Sequence, residues 1–379
     1  MSNAIQKLLA AGQSVWCDNL GRRMIESSDS GLAAESLRGL IELGVVGVTS
    51  NPTIFMKSIT GGDDYDDLLA ELAVGQRSTV SIYEELVLPD IADAADLLRP
   101  VYERTSGVDG YVSLEVSPKL AYDTQATVIE ARRLFRRLDR PNVFIKVPAT
   151  PEGIPAVETL IAEGINVNIT LIFSLAVYEK VMQAYIDGLR RLSAAGGDVS
   201  AVASVASFFV SRVDTLVDKL LLERRAAGAD VSDVLGKAAV ANAKLAYARF
   251  EEVFDSRGAF AALAADGARV QRPLWASTST KNSAYADTKY VDGLIGPRTV
   301  NTMPPETIRA VLDHGRHEVS IRDDLEGARR VFVRLAEEGI DFDAVTDNLT
   351  VDGVAAFAHS FDELLANLER KKKQLRPVC

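Results

Sequence analysis

Short runs of branched and aromatic residues alternate along the chain with longer stretches in which apolar side chains recur at helical spacing. Eight such runs predict strands, at 14–18, 45–50, 110–116, 143–148, 166–173, 201–210, 272–278 and 299–303. Amphipathic patterns at 124–138, 154–162, 175–192, 212–225 and 234–254 predict the helices between them. Strands alternating with helices imply right-handed βαβ units and a parallel sheet. Eight units predict a closed (β/α)8 TIM barrel, whose active site lies at the C-terminal ends of the strands. A doubly wound open sheet is the competitor, but no GxGxxG follows the first strand. The Gly61-Gly62 pair has no strand before it and reads as a loop.

Two stretches break the alternation. A helical, acidic insert spans about 60–105, with an amphipathic helix at 80–98, and further helices occupy about 304–370. In the last of these, Val354, Phe357, Phe361, Leu364 and Leu368 form one apolar face. With no Pro/Ser-rich linker or internal repeat, residues 1–379 read as one barrel domain with added helices. The charge run Arg370-Lys371-Lys372-Lys373 sits where it completes a helix dipole, and is expected to stay solvated.

Composition narrows the function. Of 379 residues, 47% are hydrophobic and 25% charged, the balance of a soluble globular protein. Forty-two basic against 53 acidic residues give a net charge of −11, which argues against nucleic acid or an anionic membrane as partner. A small anionic substrate stays compatible with it if a few basic side chains meet in one cleft. Cys17 and Cys379 cannot build a disulfide framework, and no signal peptide or membrane-spanning run is evident, so a cytoplasmic location is expected. Cys17 itself reads as a buried small side chain rather than a redox-sensitive thiol. Three histidines, His314, His317 and His359, are too few for a His-rich metal site, and no metal is expected. Acid–base work then falls to carboxylates, lysine or water.

Lys146 lies inside the apolar run Val143-Phe144-Ile145-Lys146-Val147-Pro148-Ala149. An unpaired ammonium there is costly to bury, and a lysine so placed tends to lose its proton and become a nucleophile toward carbonyls. The alternative is a strand-end lysine whose amine snorkels to water. The other strands weigh on the choice. Asp18 ends the first, Asn51 follows the second, Glu115 lies on the third, Asn168 and Thr170 on the fifth, Ser207 on the sixth ahead of Arg212, and Ser277 on the seventh ahead of Lys281. In a barrel these groups converge on the axis or its mouth. Glu115 can relay protons while a carbinolamine dehydrates, and Asp18 can accept a hydroxyl proton as the adjacent carbon–carbon bond breaks. Asn51 and Asn168 suit the orientation of sugar hydroxyls, while Ser207, Arg212, Ser277 and Lys281 offer donors and positive charge to a phosphate.

These residues sit in stretches that resemble transaldolases. Gly47-Val48-Thr49-Ser50-Asn51-Pro52-Thr53-Ile54-Phe55 fits the family's T-[ST]-N-P motif, and the sequence from Val143 through Ile154 fits the motif around its Schiff-base lysine. The similarity runs from about Val15 to about Met303. It implies a barrel of the class I aldolase type, with no cofactor and with sugar phosphates as partners. The reaction implied is transfer of a dihydroxyacetone unit from sedoheptulose 7-phosphate to glyceraldehyde 3-phosphate, in the pentose phosphate pathway. Monomers and homodimers both fit the resemblance. It further implies that Lys146 is the Schiff-base lysine, Glu115 the proton relay and Asp18 the hydroxyl-proton acceptor. Asn51, Asn168 and Thr170 match residues that position hydroxyls and water, and Ser207, Arg212 and Ser277 resemble the phosphate clamp.

The chain departs from many transaldolases after Ser277, reading Thr278-Ser279-Thr280-Lys281 where they carry an arginine two residues on. Lys281 looks like the counterpart used in an actinobacterial-type branch, though it is a point charge and not a fork. Fructose 6-phosphate aldolases of the same superfamily are shorter and carry tyrosine where this chain has Phe209, so Phe209 favours transfer over release. A sugar-phosphate-binding barrel without activity would need no Lys146, Glu115 and Asp18 together.

Overall fold

The eight apolar runs form eight parallel strands: β1 (Gln13–Cys17), β2 (Gly47–Thr49), β3 (Tyr111–Glu115), β4 (Val143–Pro148), β5 (Val167–Ile172), β6 (Ser204–Phe209), β7 (Arg272–Ala276) and β8 (Thr299–Met303). In this computed structural model, which describes residues 2–27, 35–255 and 258–375, each strand bonds to the next in chain order. β8 returns to β1, pairing Gln13 with Thr299 through Cys17 with Met303, and closes a TIM barrel. The expected strands are all present, several shortened by a few residues at their ends. Residues at the start of the sixth, for instance, turn through a short 3-10 helix, Val199–Ala201.

Inside the barrel the side chains sort by height. Near the N-terminal ends, Trp16, Phe144 and Tyr111 stack, with centroids 6.0 Å (Trp16–Phe144) and 4.3 Å (Tyr111–Phe144) apart. Gly47 makes room for this plug, since a Cβ there would come within 2.5 Å of the Trp16 ring. Below it, Asp109 accepts hydrogen bonds from Ser14 at 2.8 Å and Trp16 at 3.3 Å, and pairs with Arg272 at 2.9 Å. Above the aromatic layer the interior turns polar. Ser113 accepts from Asn168 Nδ2 at 3.1 Å, and Ser207 donates to Asn168 Oδ1 at 2.7 Å. An aromatic floor and a polar upper layer confine the chemistry to the C-terminal mouth.

The helix Thr79–Arg104 fills the insert between β2 and β3, despite Pro89 and Pro100 within it. After β8 come Pro305–His314, Leu325–Glu337 and Phe342–Leu375. Val354, Phe357, Phe361, Leu364 and Leu368 on the last helix are all buried. In the basic run near its end Arg370 and Lys373 are exposed as expected, but the two lysines between them are not. Lys371 donates to the Ile59 and Gly62 carbonyls and pairs with Asp66, and Lys372 is buried and donates to the Arg77 carbonyl. Carbonyls brought in from roughly 300 positions away in sequence hold these two lysines. Cys17 is buried, as expected, and Cys379 lies outside the described residues.

Candidate active site

The motif Asn51-Pro52 has a local cause. Asn51 caps the helix Pro52–Thr60, its Oδ1 accepting from Ile54 N at 3.0 Å, and Pro52 occupies the first helical position, where a missing N–H is harmless. The cap spends the Asn51 carbonyl oxygen and leaves its amide nitrogen for the cavity that Asn51 lines. Strand pairing places the next groups. Glu115 is the register partner of Lys146, and Lys146 of Asn168. Side chains from three adjacent strands therefore stand at one height.

Lys146 is 5% exposed. Its Nζ donates to the Ser50 carbonyl at 3.2 Å and stands 3.8 Å from Glu115 Oε2. Neither Glu115 oxygen has a hydrogen-bond partner among the described residues, nor does Thr170 Oγ1, so three buried polar atoms beside the lysine are uncommitted. Burial pushes the Glu115 carboxyl above the ordinary carboxylate range, outweighing the pull of Lys146. Asp18, just past β1, accepts from Thr49 Oγ1 at 2.7 Å, and the Thr302 hydroxyl lies 2.6 Å from Thr49. Burial pushes Asp18 up as well, against Lys146 and the Thr49 hydrogen bond.

Asp18, Lys146, Thr170, Ser207, Phe209 and Arg212 all line one cavity of about 330 Å³. Asn51, Ser277 and Lys281 line it too, so nine of the eleven expected site residues share its wall. Asn168 lies beneath, hydrogen-bonded to Ser207, and Glu115 reaches Lys146 from the side. Four basic side chains (Lys57, Lys146, Arg212 and Lys281) and two acidic ones (Asp18 and Glu306) line the space, a local positive excess in a chain of net charge −11. That contrast suits an anionic substrate.

The basic end is organised by the helix Ser211–Ala226, whose first turn faces the mouth. Ser211 Oγ lies 3.0 Å from Ser277 Oγ, and Ser211 N donates to the Ser277 carbonyl. Ser277 holds a left-handed φ of 55°, a strained conformation that swings the β7 loop toward this helix. Arg212 lies over the Phe209 ring at 5.2 Å, and burial lowers its pKa from the ordinary guanidinium value. Lys281 Nζ donates to Ser279 Oγ at 2.7 Å at the exposed rim. Two serines, an arginine at a helix N-terminus and a lysine make a cradle suited to a phosphate.

Sequence reasoning missed several residues of this wall: Ser211, Lys57, Glu306 and Phe357. Ser211 directly precedes Arg212 and was within reach of the same argument. Phe357, on the last helix, carried no signal beyond packing. Among the described residues, no group of three or more His, Cys, Asp or Glu is arranged to hold a metal, and no helix is long and apolar enough to cross a membrane. His314 ends a helix and is held by Asp287 at 2.8 Å, away from the cavity.

Comparison with known proteins agrees with the geometry. A family profile described as Transaldolase/Fructose-6-phosphate aldolase matches residues 15–368, past β8 and through most of the last helix, well beyond the motifs. The chain is 49% identical over 379 residues to the transaldolase of Acidothermus cellulolyticus, covering 99% of both chains. It is 49% identical over 366 residues to that of Thermobifida fusca, covering 96% of this chain and 97% of the relative. With the transaldolase of Trichodesmium erythraeum it shares 44% identity over 387 residues, covering all of both.

Proposed function

This chain belongs to the transaldolase/fructose-6-phosphate aldolase family, and on that premise we propose that Lys146 carries its transaldolase activity as a Schiff base. The activity is that of a transferase, and its substrates are sugar phosphates. The reaction proposed is transfer of a dihydroxyacetone unit from sedoheptulose 7-phosphate to glyceraldehyde 3-phosphate, yielding erythrose 4-phosphate and fructose 6-phosphate. The observation that carries the reading is a buried lysine amine 3.8 Å from a buried carboxyl, beside a cavity that Arg212 also lines.

In this reading the Lys146 amine adds to the donor ketone, and Glu115 moves the proton needed for the carbinolamine to lose water. Thr170, whose hydroxyl is uncommitted, holds that water. Asp18 takes the proton of the hydroxyl at the carbon to be released, the adjacent carbon–carbon bond breaks, and the aldose phosphate departs. The iminium takes up the electron pair, leaving a three-carbon enamine on Lys146. The enamine attacks the acceptor aldehyde, Asp18 returns the proton, and water frees the product. Asn51 and Asn168 orient the hydroxyls, with Ser207 fixing Asn168. Arg212, Ser211, Ser277 and Lys281 hold the phosphate. The helices about 60–105 and 304–370 act with the barrel as one catalytic unit, since Ser360 of the last helix accepts a hydrogen bond from Thr53 at 2.9 Å and its Phe361 packs against Tyr83 of the insert.

Borohydride reduction in the presence of fructose 6-phosphate tests the central step. A three-carbon adduct on Lys146, absent from Lys146→Ala, is expected by peptide mass analysis. No adduct under turnover conditions, or transfer activity surviving in Lys146→Ala, overturns it.

A further inference from the structure

Phe357 is, with Phe209, one of the two aromatic rings that line the cavity, and its position is specific. Its centroid lies 5.9 Å from Lys146 Nζ and 5.9 Å from Arg212 Cζ, and the side chain is 7% exposed. The helix Phe342–Leu375 is fastened on either side of it. One turn earlier is Gly353, where a Cβ would meet Leu171 Cδ2 at 2.9 Å, so the helix backbone rests against the end of β5. Nearly one turn later, Thr53 donates to Ser360 at 2.9 Å, next to the Asn51 cap. Phe361 then packs edge-on against Tyr83 with centroids 5.5 Å apart. Fastened on both sides, the helix holds the Phe357 ring beside Lys146 Nζ and the Arg212 guanidinium.

The chemistry gives such a ring a task. The three-carbon enamine on Lys146 has two fates. Its carbon can attack the acceptor aldehyde, which is transfer. Alternatively it can take a proton from a water, after which the hydroxide left behind adds to the iminium and the carbinolamine collapses to free dihydroxyacetone and the Lys146 amine. Release needs a water near the nucleophilic carbon, and a wall without hydrogen-bonding groups denies that water a place. Phe209 supplies one such wall, 5.2 Å from Arg212. We propose that Phe357 supplies the second, shielding the enamine from water and so directing the site toward transfer and away from release. The proposal rests on the Schiff-base reading of Lys146 and adds to it a specificity residue from an element outside the barrel.

The test uses the full chain with Phe357→Ala and with Phe357→Leu, which keeps most of the volume and preserves the test if the alanine variant does not fold. Each is given fructose 6-phosphate with and without erythrose 4-phosphate, and the rate of free dihydroxyacetone formation is divided by the rate of transfer. That ratio is expected to rise by about tenfold in Phe357→Ala and by less in Phe357→Leu. A purely structural role lowers both rates together and leaves the ratio alone. A ratio within about twofold of the parent's in a folded variant overturns the proposal. Borohydride trapping is scored in the same samples. An adduct with an unchanged ratio overturns the shield alone, whereas no adduct in the parent protein overturns the Schiff-base reading beneath it.

Discussion

Glu115 and Lys146 face each other across β3 and β4 in direct register, with Glu115 Oε2 3.8 Å from Lys146 Nζ. That gap is longer than a hydrogen bond, so proton exchange between them needs a closer approach or an intervening water. Glu115→Gln keeps the shape and removes the proton acceptor. It is expected to lower kcat by about 10²–10³-fold, the scale of lost general acid–base catalysis, with a small change in KM. Steady-state kinetics with saturating acceptor measure this. A kcat that stays near the parent's refutes the relay role.

Burial at Asp18 works against its ionised form. Burial raises its folded pKa above the unfolded one, so the native state binds a proton that the unfolded chain has already shed. The direction follows. Stability associated with this group is present below the unfolded value and lost as pH rises through the raised folded value. Asp18→Asn cannot ionise, so it should be more stable than the parent at pH 8. The difference should vanish in acid, where both forms are neutral. Urea denaturation at the two pH values measures it, and an advantage that grows toward low pH contradicts the argument. Transfer activity should fall sharply in the same variant.

The barrel was legible because strand and helix periodicities differ and alternate cleanly, and because charged or polar groups on otherwise apolar strands must converge. Lys146, Glu115 and Asp18 share one site for that reason. Phe357 was not legible, since its spacing with Val354 and Phe361 is that of any packed helix face, and its neighbours are core residues. Only the path of the last helix across the mouth changes its meaning. The basic tail misled in the opposite way. A helix-end rule uses local sequence, while the partners of Lys371 are carbonyls near residue 60. The reach of the family likeness was also underread, because the helices after Met303 carry no recognisable motif yet match through residue 368.

At the opposite end of the barrel, Asp109 gathers Ser14, Trp16 and Arg272. Both members of the ion pair are nearly buried, at 9% and 11% side-chain exposure. Asp109→Ala leaves Arg272 unpaired there and is expected to destabilise the fold by about 3–5 kcal/mol. Asp109→Asn, which still accepts hydrogen bonds, should lose less. Neither should change KM or kcat in the fraction that stays folded, because the aromatic plug separates this network from the mouth. Denaturation midpoints alongside kinetics test the separation, and a KM shift in Asp109→Asn contradicts it.

The loop after Ser277 is held from outside the cavity. Tyr285 donates to Asp218 Oδ2 at 2.6 Å, and Asp218 Oδ1 accepts from Gly236 N at 2.7 Å. Lys289 pairs with Asp214 at 2.9 Å. Asp214 and Asp218 lie on the helix that begins with Ser211 and Arg212, so these bonds tie the two halves of the proposed phosphate cradle together. Tyr285→Phe removes one tie without touching the cavity wall. The KM for fructose 6-phosphate should rise by about fivefold with kcat little changed, the scale of one ordinary hydrogen bond. Turnover of unphosphorylated fructose, which makes no use of the cradle, should be unaltered. An equal loss on both substrates means that the loop supports the barrel as a whole and does not position the phosphate.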